Sequence, residues 1–291
     1  MSDIRARAIQ IYDSFTHDHR DRRALLREMV ALAGSVAAAE ALIAGISASP
    51  AAAQQVPPDD KRLVTRTGPY LAGTARVTGY MAYPAGNQPR LGGVMVVHEN
   101  RGLNAHIEDV ARRLALAGFF VLAPDLLSPA GGTPADEDKA RDMIGALDLA
   151  ATVQIGVDTL ATLKAYPSTT GKAGVVGFCW GGALVDRIAV AAGKGLDAAV
   201  AYYGPAPDPA EAAKVQAPML LHYAGLDTRV AATGGPWVAA LKAAGKSVED
   251  YTYPGVDHAF NNDTSAERYN AAAATLAWGR TIAFLHKHLD G

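Results

Sequence analysis

The chain has 291 residues, 49% of them hydrophobic, and a formal net charge of −2 at neutral pH. That is enough apolar material for one large α/β domain or two small ones. Lysine and arginine are scattered rather than striped, which leaves no basic face for nucleic acid. A single cysteine, Cys179, excludes an internal disulfide.

Residues 1–53 differ from the rest. Met1 to His19 is polar with helical potential, and Asp21-Arg22-Arg23-Ala24-Leu25-Leu26-Arg27 follows. An Ala-rich, mildly apolar stretch from Met29 to Ser47 leads to Pro50-Ala51-Ala52-Ala53-Gln54. Paired arginines, leucines, a weakly apolar run and an A-x-A stretch resemble a twin-arginine export signal, which implies a periplasmic or secreted protein. Against that pattern, Glu28 and Glu40 interrupt the run and Asp21 stands where Ser or Thr is usual. The alternative is a retained helical arm on a cytoplasmic protein, packed on the domain or on a second copy in a homodimer. The run is too short and too broken to span a membrane. Residues 54–63, with Pro57-Pro58-Asp59-Asp60, read as a linker, and 64–291 as the domain.

From Val64 onward, Arg76 to Ala82 has strand character. Gly93-Val94-Met95-Val96-Val97-His98 is a continuous apolar run, as expected of a strand buried on both faces. Asn104 is placed to cap a helix from Ala105 to Ala117 that stops at Gly118. Phe119 to Ala123 is the next strand, ended by Pro124-Asp125. Helices are expected around Asp136–Leu149 and Thr152–Ala165. Strands follow at Gly174–Phe178, Ala198–Tyr203, Pro218–Tyr223 and Val248–Tyr253, with a last helix over about Ala266 to His288. Apolar strands alternating with helices predict a mostly parallel, doubly wound sheet with helices on both faces, whose ligands sit at the carboxyl ends of the strands.

Cys179 stands at such an end, inside Gly177-Phe178-Cys179-Trp180-Gly181. A Gly-x-Cys-x-Gly between a strand and a helix is a nucleophile elbow, in which the flanking glycines permit a turn too tight for side chains. Two later strand ends carry Gly225-Leu226-Asp227 and Val256-Asp257-His258. Nucleophile, acid and histidine in this order follow the α/β-hydrolase pattern. Cys179 would attack a carbonyl, His258 would move the proton, and Asp227 would orient the ring. The Trp180 N–H and the Asn100 N–H are the expected oxyanion donors, each worth about 2.7–4 kcal/mol of barrier. Trp180, Tyr203 and Phe260 are expected to crowd the substrate pocket. His286 and His288 read as a solvated helix end rather than a metal site, and Gly234-Gly235-Pro236 lacks the spacing of a dinucleotide fingerprint. No cofactor or metal is expected; the partner is a small molecule.

Between about Ala82 and Leu289 the chain resembles the dienelactone (carboxymethylenebutenolidase-like) hydrolases. The resemblance rests on His98-Glu99-Asn100-Arg101-Gly102-Leu103-Asn104, Ile107 to Arg113, Ala123-Pro124-Asp125-Leu126, the elbow, Tyr202-Tyr203-Gly204, Gly225-Leu226-Asp227 and Tyr253 to Phe260. It implies an α/β-hydrolase fold and hydrolysis of an ester or lactone through an acyl-cysteine. It also implies a role for Glu99, which in this family holds the resting cysteine as a neutral thiol until substrate displaces the carboxylate toward the sulfur. The alternative is that Glu99 only pairs with Arg101. The family's chloroaromatic-pathway enzymes bind the substrate carboxylate through two arginines, whereas the matching stretches here read Leu127-Ser128-Pro129 and Asn261-Asn262-Asp263. A buried carboxylate without a cation is costly, so a neutral ester or lactone is expected. Two readings from other classes are a thiol redox sensor, which would lack a second cysteine to resolve a sulfenic acid, and a non-catalytic binding module.

Overall fold

A computed structural model describes residues 2–17, 21–47 and 54–291. The A-x-A stretch at residues 50–53 lies outside the described residues. Three helices come first: α1 (Ser2–His17), α2 (Arg22–Ala33) and α3 (Val36–Ile46). Met29 to Ser47 is thus two helices rather than one run. Gly34 closes α2 in the left-handed region, at φ 80°, and the Ser35 hydroxyl accepts from the Ala38 N–H to start α3. The three helices share a small core of their own, including Ile9, Tyr12, Phe15, Leu25 and Met29. Among the described residues no single helix is long and apolar enough to cross a membrane.

The rest of the chain builds an eight-stranded sheet. Its strands are β1 (Leu63–Ala72), β2 (Ala75–Pro84), β3 (Leu91–Val97), β4 (Phe120–Pro124), β5 (Thr169–Phe178), β6 (Ala198–Tyr202), β7 (Met219–Ala224) and β8 (Val248–Tyr253). They lie in the order β1-β2-β4-β3-β5-β6-β7-β8. β2 pairs antiparallel with β1 and β4, and every pairing from β4 to β8 is parallel. The connecting helices are α4 (Ala105–Leu116), α5 (Glu137–Gly145), α6 (Leu149–Ala165), α7 (Trp180–Ala192), α8 (Thr228–Ala243) and α9 (Ala271–Leu289).

Alternation along the strands feeds two cores. Val94, Val96, Val176, Phe178 and Leu220 point to one face, against α4 and α9. Met95, Val97, Val175, Ala199 and Leu221 point to the other, against α6, α7 and α8. The expected doubly wound α/β sheet is therefore present.

Three elements depart from the sequence reading. β1 carries polar and exposed positions such as Arg66 and Thr67, so it lacks a buried strand's apolar signal. The linker is pinned: Gln55 and Val56 N–H groups donate to the Asp109 carboxylate, and the Arg112 guanidinium donates to the Val56 carbonyl at 2.8 Å. α9 begins at Ala271 rather than Ala266, because Asn270 is its cap and the preceding residues turn back to hold other parts of the chain. Gly234-Gly235-Pro236 lies inside α8.

Candidate active site

β5 carries the backbone to Cys179 and α7 leaves from Trp180. Cys179 has φ 56° and ψ −116°, a region L-residues rarely adopt and which costs on the order of 1–3 kcal/mol. Its N–H donates to the Tyr202 carbonyl at 3.0 Å and its carbonyl accepts from Ala183 N–H at 3.1 Å, which hold the turn. A Cβ on Gly177 would lie 2.3 Å from the Gly181 carbonyl oxygen, and one on Gly181 would lie 2.4 Å from that of His98. Both glycines are required by backbone-to-backbone contact. Tyr203 (φ 39°) and Ala259 (φ 63°) are the other non-glycine residues at positive φ among the described residues. Cys179 and Ala259 line one cleft, and the Tyr203 ring packs behind its histidine.

Asp227 follows β7 and caps α8. One carboxylate oxygen accepts from Val230 N–H at 3.0 Å and the other lies 2.5 Å from His258 Nδ1. The His258 loop is tied to the Asp227 loop by Leu226 N–H to the Val256 carbonyl and Gly225 N–H to the Tyr253 carbonyl. Burial would raise the Asp227 carboxyl, but the hydrogen bond and charge of His258 and the Val230 N–H hold it below its ordinary value. Burial is also the largest influence on His258 and would strip its proton. Its neighbours Cys179 and Asp227, through electrostatic attraction and hydrogen bonding, together outweigh it and push His258 up to about 10. Acid, base and sulfur thus form one electrostatic unit.

Glu99, in the loop after β3, is buried and lines the same cleft as Cys179 and His258. Its partner is Asn262, whose side-chain amide donates to the carboxylate at 2.8 Å. The Asn262 carbonyl oxygen in turn accepts from the Thr264 N–H and hydroxyl. Arg101 is not Glu99's partner: it donates to Glu137 at 2.6 Å and to the Tyr12 hydroxyl at 2.9 Å. Asn100 lines the cleft beside Glu99, and Trp180 is the first residue of α7, whose N–H has no acceptor one turn earlier.

The pocket residues expected from the sequence fare less well. Tyr203 and Phe260 are almost fully buried and pack behind His258, with the Tyr203 ring 5.0 Å from the imidazole and 5.5 Å from the Phe260 ring. They brace the base and do not line the cleft, because the inward turn at both loops takes their rings under the histidine. Trp180 faces a neighbouring cavity of about 270 Å³ and stacks on His98 at 5.4 Å.

Several cleft residues were not singled out as site residues from the sequence. Tyr12 and Thr16 reach it from α1, Arg268 from the turn before α9, and Arg101 from the β3 loop. Both arginines are already matched. Arg268 meets Asp13 at 3.1 Å and the Ser265 hydroxyl at 3.0 Å. His98 ties the loops after β3 and β4 together through the Glu99 carbonyl and the Leu126 N–H. His222 is a buried core histidine, lowered to about 3 by burial and held by Thr281 and Tyr253. Among the described residues no group of three or more His, Cys, Asp or Glu is arranged to hold a metal ion.

Residues 77–289 match the model of the "Dienelactone hydrolase family". Two relatives, each named "Putative carboxymethylenebutenolidase", are also similar to this chain. The one from Methylorubrum extorquens is 33% identical over 220 residues, covering 70% of this chain and 74% of that protein. The one from Saccharolobus solfataricus is 32% identical over 254 residues, covering 75% and 96%. A solved structure, "Putative Dienelactone Hydrolase from Klebsiella pneumoniae", superposes with a TM-score of 0.71 at 27% identity, covering 78% of this chain and 99% of that one.

Proposed function

We propose, on the premise that the chain belongs to the dienelactone hydrolase family and so hydrolyses carboxylic esters or lactones, that it works through an acyl-cysteine on Cys179. The observation that carries this reading is the Cys179–His258–Asp227 unit, assembled at three strand ends with the base 2.5 Å from its acid. In the first half-reaction the Cys179 thiol passes its proton to His258 as the sulfur bonds to the carbonyl carbon. The carbon–oxygen bond to the alcohol breaks, and the leaving oxygen takes that proton from His258. In a lactone that oxygen stays tethered to the acyl group. Water then loses a proton to His258, attacks the same carbon and expels the sulfur, which takes the proton from His258 and restores the enzyme. The Trp180 and Asn100 N–H groups would receive the oxyanion, beside the positive end of α7.

Glu99 acts in this reading as the group that opposes the thiolate at rest. It shares the cleft with the sulfur, and a second negative charge there disfavours the first. Displacement by substrate would remove that opposition. Neutral substrates suit the cleft, because Arg101 and Arg268 are each already paired with a carboxylate. An added carboxylate would have to break one of those pairs.

The test is a panel of short-chain nitrophenyl esters and neutral and anionic lactones, assayed with wild type, Cys179→Ala and His258→Ala. Both variants should lose activity by about 10³-fold or more, and an acyl adduct on the wild type should appear by intact mass. Retained turnover in Cys179→Ala overturns the nucleophile. Turnover of the anionic lactone at the rate of a neutral ester overturns the substrate class.

A further inference from the structure

The reaction cleft is closed by the first helices. Its cavity is only about 30 Å³, room for about one water, and Tyr12 and Thr16 of α1 form one side of it opposite Cys179 and His258. Behind Tyr12 lies a second cavity of about 460 Å³, between the three helices and the start of α5. Tyr12 and Arg101 line both spaces, so the tyrosine ring, itself buried, stands on the wall between them. Phe15, Leu25, Leu26 and Ile43 give the larger cavity an apolar side.

The helices are fastened to the domain near the site. The last-turn carbonyls of α3, which have no partner within the helix, accept from the domain: Ile46 from the Ser265 hydroxyl at 2.7 Å and Gly45 from the Glu267 N–H at 3.1 Å. Asp13 pairs with Arg268, Arg22 with Asp138, and the Arg141 guanidinium lies 4.3 Å from the Phe15 ring centre. None of α1 to α3 belongs to the residues matched by the family model, which begin at 77.

We propose that the three N-terminal helices are a working part of the enzyme, a cap whose Tyr12 sets the size of substrate that reaches Cys179. With the ring in place, only a small acyl or lactone group fits at the sulfur. Without it the cleft opens into the larger cavity, whose apolar side (Phe15, Leu25, Leu26 and Ile43) faces charged residues such as Glu40 and Asp136 and which has the volume to take a medium-length acyl chain of an uncharged ester. The size preference rests on the hydrolase reading above, but the wall itself does not, and the two are read separately.

The experiment uses the full chain with Tyr12→Ala, Tyr12→Leu and Tyr12→Phe. Folding is checked by circular dichroism and melting. The first readout is the ratio of kcat/KM for nitrophenyl hexanoate to that for the acetate. It should rise about tenfold in Tyr12→Ala, less in Tyr12→Leu, and stay near wild type in Tyr12→Phe, since even one methylene accommodated in a pocket is worth about 10–200-fold and the hexanoate is longer than the acetate. The second readout needs no catalysis: labelling of the sole cysteine by iodoacetamide and by a pyrenyl maleimide, each normalised to free cysteine. Wild type should discriminate strongly against the bulky reagent, and Tyr12→Ala should shrink that gap about tenfold. Should Tyr12→Ala not fold, Tyr12→Leu carries the same test. A folded variant with an unchanged labelling gap overturns the cap as a wall. A reduced gap with no ester turnover in any protein overturns the hydrolase reading and leaves the wall standing.

Discussion

Glu99 and Cys179 line the same cavity of about 30 Å³, and the proposed mechanism uses the glutamate's charge to oppose the thiolate. Replacing Glu99 by Gln keeps the shape and the acceptor for Asn262 but removes the charge. Alkylation of Cys179 by iodoacetamide at pH 7 should then speed up by about threefold or more, while ester turnover falls by about tenfold or more. Alkylation that slows instead would show that the carboxylate promotes the thiolate at rest. A second buried acid behaves differently. Asp186 on α7 is pushed up to about 8 because burial outweighs the pull of Arg187 and the Trp237 indole. An unfolded chain ionises it near 3.8, so the folded state binds the extra proton between those values, and stability falls as pH rises from about 4 to 8. Asp186→Asn removes that dependence and should raise the melting temperature more at pH 8 than at pH 5; equal shifts at both would refute it. At this scale Cys179, Asp227 and His258 were legible because each stands in a local turn pattern after a strand. Tyr12, Thr16 and Arg268 were not, since nothing in a neighbouring five residues marks a side chain that reaches a nucleophile far away along the chain.

The elbow belongs to the level of elements, since it is where β5, α7 and the loop after β3 approach to backbone contact. Gly181→Ala would drive a methyl into the His98 carbonyl oxygen at 2.4 Å, and backbone on both sides prevents relief. The variant should lose activity about 100-fold and melt several degrees lower, because strain at such a position costs about 1–3 kcal/mol or more. Wild-type activity and melting would contradict the packing described. Strands β3 to β8 and their helices were readable from apolar runs and the caps between them, as at Asn104, whose side chain does accept from the Ile107 N–H. β1 was not, because a half-exposed edge strand has no continuous apolar run to show. The start of α9 was set too early for a related reason: Ala266-Glu267-Arg268 has helical composition, but Ser265 and Arg268 are committed to α3 and α1.

As a whole, the molecule is a doubly wound sheet with a small helical unit seated over the carboxyl ends of its strands. The sheet follows from the order of strands and helices. The seating does not, because it depends on pairs such as Asp13 with Arg268, which are 255 residues apart. That separation also has a consequence in time. The cap leaves the ribosome well before Ser265, Glu267 and Arg268, to which it docks. At about 5–20 residues per second, Asp13 waits on the order of 10–50 s for its partner to be synthesised. Until then the first helices have only their own small core, with Ile9, Tyr12, Phe15, Leu25 and Met29, to pack on.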